Sequence, residues 1–183
     1  AVQRSAHVEA IAHLRQGLAV LQTLSETPDR VQREVDMLIA LGASLIATKG
    51  YAGPEVGETY TYARQLCQSL DNPHQLFPVL RGLWQCYNVR GEYLTARELG
   101  EQLLTLAEQV QDAAMLVAAH RALGQMLFYA GAVAEAHTHF AQGIALYDAQ
   151  PHRASAFLYG EDAGVVCRSF AARTLWFLGY PDQ

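Results

Sequence analysis

The side chains able to do chemistry in this chain are seven histidines, three cysteines and scattered acids, and their spacing decides what they can do. His137 and His139 stand two apart. On a helix that separation turns their rings about 200° from one another, so they cannot chelate one ion. His7 and His13 are six apart, a spacing equally poor for tetrahedral zinc. No metal site is expected. Gly50-x-x-Gly53 lacks the Lys-Ser/Thr that a phosphate loop requires, and turn glycines explain it. Tyr159, Glu161, Asp162 and Cys167 form the one group from which a hydrolytic or small-molecule site could be built. Helix capping explains Asp162 more simply, and a packing role explains Cys167. No catalytic residue, cofactor or enzymatic activity is expected.

Composition points the same way. Apolar residues make up 51% of the 183, but much of this is alanine and only 9% is aromatic, which suits closely packed helices. The formal charge of −5 argues against a nucleic-acid binder, which carries a basic footprint. No apolar run reaches the roughly 18 residues that span a bilayer. Cys67, Cys86 and Cys167 are odd in number and show no CxxC spacing, so they read as reduced thiols in a cytoplasmic protein. The chain opens without a Met and begins and stops in mid-pattern, and is expected to be a piece of something longer.

The elements that must position these side chains are helices. Ser5 is placed to cap a first helix over 5–24. Thr27-Pro28-Asp29 is a helix start, with a cap, a proline in the first turn and an acid after it. Gly50 is expected to end that second helix in the left-handed region. Gly53-Pro54-Glu55 starts the next, which reaches about Leu70. Asn72-Pro73-His74-Gln75 starts another, which continues to Gly91, with Gln75 placed to close a capping box on Asn72, and Pro78 should bend it slightly. Helices over 92–110 and 113–130 follow, the latter capped by Asp112. Gly131 turns the chain into a further helix that ends near Tyr147. After a longer connection, Asp162 caps a last helix over 163–178.

Val56-x-x-x-Tyr60-x-x-Ala63, Ala96-x-x-x-Gly100-x-x-Leu103 and Ala136-x-x-x-Phe140-x-x-Gly143 recur at an interval of 40 residues. Leu41-Gly42-x-x-Leu45 and Leu123-Gly124-x-x-Leu127 mark the partner helices. A period between about 20 and 50 made of helix–turn–helix units means an α-solenoid. The spacing resembles the tetratricopeptide signature, with a unit longer than the usual ~34 residues. His120 stands where that signature has Trp, Leu127 where it has Tyr, Trp84 where Gly follows Leu, and Gly100 where an aromatic follows Ala. The expected fold is an all-α, right-handed α–α superhelix forming one domain. It has hairpins over 28–70, 73–110 and 112–147, with orphan helices at 5–24 and 163–178.

The run Tyr159-Gly160-Glu161-Asp162-Ala163-Gly164-Val165-Val166-Cys167, followed by Ala172-x-x-Leu175-Trp176-x-Leu178-Gly179-Tyr180-Pro181-Asp182-Gln183, carries a more specific resemblance. It is similar to the long-repeat region of large bacterial signalling proteins that join a nucleotide-cyclase or protein-kinase domain to a predicted ATPase. A proline often stands there at the position of Ala163. The resemblance implies a sensor or scaffolding arm, with the cyclase and ATPase activities in flanking domains.

In such solenoids the first helix of each hairpin lines the concave face. Aligned on their Leu-Gly pairs and turns, the hairpins place Ile39, Ala43 and Ile46 there, then Arg81, Gln85 and Asn88, then Arg121, Gln125 and Phe128. The last helix adds Ser169, Arg173 and Trp176. Arginines in a row suit carboxylates of a protein or acidic peptide, because each guanidinium can hold an oxygen pair. The competing expectation is a solvated groove whose arginines pair with neighbouring acids, in a purely structural or oligomerisation arm. The last helix also presents Val165, Val166, Phe170, Leu175, Trp176 and Phe177, so self-association through the terminal helices is expected.

Overall fold

The structure is a computed structural model describing residues 2–70, 72–148, 161–180 and 182. Among the described residues there are eight α-helices and no strand. They are α1 (Val2–Gln22), α2 (Pro28–Lys49), α3 (Pro54–Cys67), α4 (Pro73–Arg90), α5 (Tyr93–Val110), α6 (Ala113–Tyr129), α7 (Val133–Leu146) and α8 (Ala163–Phe177). They gather into two compact units, Ala1–Glu92 and Tyr93–Gln183. In the first, α1 packs on α2, α2 on α3 and α3 on α4; in the second, α5 packs on α6, α6 on α7, and α8 on both α6 and α7. Helices adjacent in sequence are therefore adjacent in space within each unit, as a solenoid requires. The helices predicted as the hairpin 73–110, α4 and α5, fall in different units.

Most helix ends form where the sequence places them. The Thr27 hydroxyl accepts from the Arg30 amide at 3.2 Å, and Asp112 accepts from the Met115 amide at 3.0 Å. Gly91 closes α4 in the left-handed region (φ 76°, ψ 13°), and Gly131 turns α6 into α7 with φ 86°. Three ends differ from expectation. Helix α1 already begins at Val2, so Ser5 lies inside it and is not a cap. Gly50 has a positive φ of 79°, but its ψ of 167° leads the chain out extended.

The capping box on Asn72 does not form. Gln75 instead donates across to α2, to the Gln32 carbonyl at 2.8 Å and the Asp36 carboxylate at 2.7 Å. Helix α4 continues through Pro78.

The recurring residues occupy matching surroundings: Val56, Ala96 and Ala136 are all fully buried. Four positions further on, a bulky group meets a small one. The Tyr60 ring lies against both Gly42 and Gly82, and a Cβ on Gly42 would sit 2.5 Å from its Cζ. The Phe140 ring fills the equivalent space on Gly124, where a Cβ would lie 2.7 Å from Cε1. Such distances are well inside van der Waals contact, so no side chain fits at these glycines while the rings stay. At the middle repeat the roles reverse. Gly100 provides the hollow, and Leu123 from α6 fills it, with Cδ2 2.7 Å from where a Cβ would be.

A double-mutant cycle tests this contact. Phe140→Ala should cost about 3–5 kcal/mol, and Gly124→Ala about 1–3 kcal/mol by overpacking. Because the second penalty comes from collision with the ring, Gly124→Ala should become nearly neutral in the Phe140→Ala background. Urea unfolding followed by circular dichroism checks all three, and strictly additive losses would contradict the contact.

Candidate functional site: an aromatic and arginine face on the second unit

The residues predicted for a binding face meet different fates. On α4, Gln85 and Asn88 are buried and Arg81 is half-buried. On α2, Ile39 and Ile46 are half-buried and Ala43 is exposed. On α6, Arg121 is only 3% exposed. Its guanidinium forms an ion pair with Glu161 at the foot of α8. That charge is satisfied inside the chain, as the expectation of arginines paired with neighbouring acids has it. Gln125 and Phe128 are half-buried, while Ser169, Arg173 and Trp176 on α8 are exposed.

Three of the predicted residues, Phe128, Arg173 and Trp176, are brought together by a cluster of rings. Phe128 meets Phe170 edge-on at 5.4 Å and Phe177 at 5.6 Å. Phe177 meets Trp176 at 5.3 Å, and Tyr129 packs edge-on against Phe128 at 5.7 Å. Beneath them Phe140 stacks on Phe170 at 5.3 Å. The Arg173 guanidinium carbon lies 5.0 Å over the Phe170 ring, within cation–π range. The upper surface stays open: Trp176 is 66% exposed, Phe177 61% and Tyr129 48%. One guanidinium set among exposed rings can hold a carboxylate while the rings take an apolar or aromatic side chain. Helix α8 arranges this because Phe170, Arg173 and Phe177 follow three and four apart along one stripe.

The N-terminal end of α8 carries the residues considered for hydrolysis. Tyr159 lies outside the described residues. Asp162 accepts from the amides of Gly164 (2.9 Å) and Val165 (3.1 Å), and from the Tyr147 hydroxyl at 2.7 Å. Burial raises its carboxyl, but these hydrogen bonds outweigh that and hold it below the ordinary value. Cys167 is fully buried. Burial pushes its thiol up to about 12, the opposite of what activates a nucleophile. Its sulfur packs against Gly143, so both residues are fixed by local structure.

The histidines take separate roles. The ring nitrogens His120 Nδ1 and His139 Nδ1 are 3.1 Å apart. His137 Nδ1 lies 2.8 Å from the Thr174 hydroxyl. That hydroxyl already donates to the Ala171 carbonyl at 2.7 Å, so His137 must donate to it. His137 and His139 thus face α8 and α6 respectively, as their two-residue spacing demands. Among the described residues no group of three or more His, Cys, Asp or Glu is placed to hold a metal ion.

Sequence reasoning missed two polar clusters. Glu34 is fully buried on α2, where it pairs with Arg30 at 3.1 Å and accepts from the Tyr62 hydroxyl at 2.9 Å. Burial and this carboxylate together raise the Tyr62 phenol. The Arg30–Glu34 spacing of four was visible, but it reads as an ordinary surface pair. The second cluster is the His120–His139 contact. Grooves of about 620 Å³ between α1 and α2 and about 450 Å³ between α3 and α4 contain none of the predicted site residues. No protein-family model matches the chain, and no curated protein matches it by sequence.

Burial separates the arginines experimentally. Arg121→Glu would place two carboxylates together in a closed site and should cost about 3–5 kcal/mol. Arg173→Glu loses only a surface cation–π contact, worth about 0.5–1 kcal/mol. Urea midpoints of the two variants should therefore differ widely, and equal midpoints would contradict the assigned burial.

Proposed function

We propose that this chain is a non-enzymatic protein-interaction or sensor scaffold. Its helices follow the right-handed superhelix of the tetratricopeptide type, as three hairpins flanked by an orphan helix at each end. It serves a larger cytoplasmic signalling protein of the bacterial kind that its last helix resembles, and any cyclase, kinase or ATPase chemistry belongs to other domains of that protein. The partner is a protein segment or peptide bearing a carboxylate beside an aromatic or aliphatic side chain. The observation that carries this reading is the exposed Arg173 and Trp176 beside the Phe128, Phe170 and Phe177 rings. Arginine and aromatic residues in one patch are the chemistry over-represented at binding hot spots. All three cysteines are free and buried, which suits a reducing compartment. No helix among the described residues is long and apolar enough to cross a membrane.

A second reading, an oligomerisation arm, is favoured by one observation. Val165 and Leu178 are exposed on the same short helix and its end as Trp176 and Phe177. Apolar exposure of this kind marks interfaces. A second copy and a peptide would compete for it.

Binding to an array of short acidic peptides, with and without an aromatic residue, tests the first reading. Wild type should retain acidic peptides that carry an aromatic residue. Arg173→Glu and Trp176→Ala should each weaken them by about tenfold or more, the scale of one hot-spot residue, with helicity kept. If no peptide binds and light scattering shows a concentration-dependent oligomer that Trp176→Glu dissolves, the oligomerisation arm is the correct reading. A strict monomer at high concentration would contradict that arm.

A further inference from the structure

The contact between His120 on α6 and His139 on α7 is unusual in what it demands of its protons. Each neutral imidazole carries one N–H and one bare nitrogen. With Nδ1 facing Nδ1 at 3.1 Å, one ring must donate and the other accept. The two rings are tilted by 38° with centroids 5.4 Å apart, so they are in direct contact. His120 is buried and His139 half-buried. A first added proton leaves the contact intact, because an imidazolium can donate to a neutral neighbour. A second sets N–H against N–H and brings two positive charges together.

We propose that the His120–His139 pair is a proton-counting latch between α6 and α7, closed while at least one ring is neutral and opened by acid. The surroundings decide where it opens. From α7 the Glu135 carboxylate acts on His139 and favours its charge; from α5 Arg97 opposes it. Arg97 is itself paired with Glu101 at 3.0 Å. On α6 the neighbouring Arg121 is paired with Glu161. From α8 come Cys167, whose raised thiol is neutral throughout the acid range, and Thr174, held by His137.

Burial and its neighbour push His120 down to about 4, and burial lowers His139 as well. The unfolded chain therefore binds more protons than the folded one between about 6.5 and 4, and stability falls as pH falls through that window. The consequence reaches the ring cluster, because Phe140 follows His139 directly and stacks on Phe170 beneath Arg173.

Long-range proton–nitrogen NMR of the imidazoles in the 183-residue chain tests the latch without any ligand. At pH 7 one of His120 and His139 should be the Nδ1–H tautomer and the other the Nε2–H tautomer. Both should charge below the ordinary imidazole value of about 6.5, His120 near 4, together with a shift of the α6 and α7 amides. His139→Gln should abolish that amide transition, and His137→Gln should leave it. Should His139→Gln not fold, His120→Gln provides the same comparison, and the wild-type tautomers stand as an independent readout. Ordinary titration near 6.5, matching tautomers, or an amide transition that survives loss of the pair would overturn the proposal.

Discussion

The fold of each unit depends on bare backbone at a few positions where a ring or a branched chain from the next helix must enter. Tyr60 occupies space that a Cβ at Gly42 or Gly82 would take, and Phe140 does the same at Gly124. Close-packed interiors tolerate neither a void nor an extra methyl group at such points. One tyrosine touching a glycine on α2 and another on α4 thereby sets the spacing of three helices. Gly100 and Leu123 reach the same fit with the bulky partner supplied by the other helix. The recurring pattern survives this exchange because what matters is the summed volume across the contact.

Polar chemistry in the chain serves mainly to join helices. Glu34, Arg30 and Tyr62 bind α2 to α3, Gln75 binds α4 to α2, and Arg121 with Glu161 binds α6 to the approach of α8. Buried polar and charged groups of this kind are costly unless paired and hydrogen-bonded, and each has a partner from a neighbouring element. Among the described residues, the α6–α8 ring cluster with Arg173 stays open at the surface. The proposed scaffold role rests on this division: groups that hold the fold are closed to solvent, and the face offered to a partner is open.

Much of the fold was legible in sequence, for local reasons. Thr27-Pro28-Asp29, Asp112 and Asp162 mark helix starts by side-chain chemistry that needs no tertiary context, and Gly91 and Gly131 mark stops by their conformational freedom. The interval of 40 residues revealed the stacking order within each unit. Less was legible at the candidate site. Aligning repeats stacked Arg81 on Arg121, with Arg173 offset beyond them on one face. Yet Arg121 is closed off by Glu161, an acid 40 residues away along the chain, and no repeat alignment encodes that pairing. The same limit hid the capping failure at Asn72, where Gln75 found better partners on α2, and the meeting of His120 with His139, whose adjacency depends on how α7 is rotated against α6.

The ring-in-glycine contact can be observed directly by nuclear Overhauser spectroscopy on the labelled chain. Tyr60 ring protons should show cross-peaks to the Hα protons of both Gly42 and Gly82, and Phe140 ring protons to those of Gly124, each shifted upfield by the ring. At Gly100 the cross-peaks should come from a Leu123 methyl group with no aromatic partner. Glycine Hα shifts near their ordinary values, or Tyr60 cross-peaks to only one of its two glycines, would contradict the packing on which everything else stands.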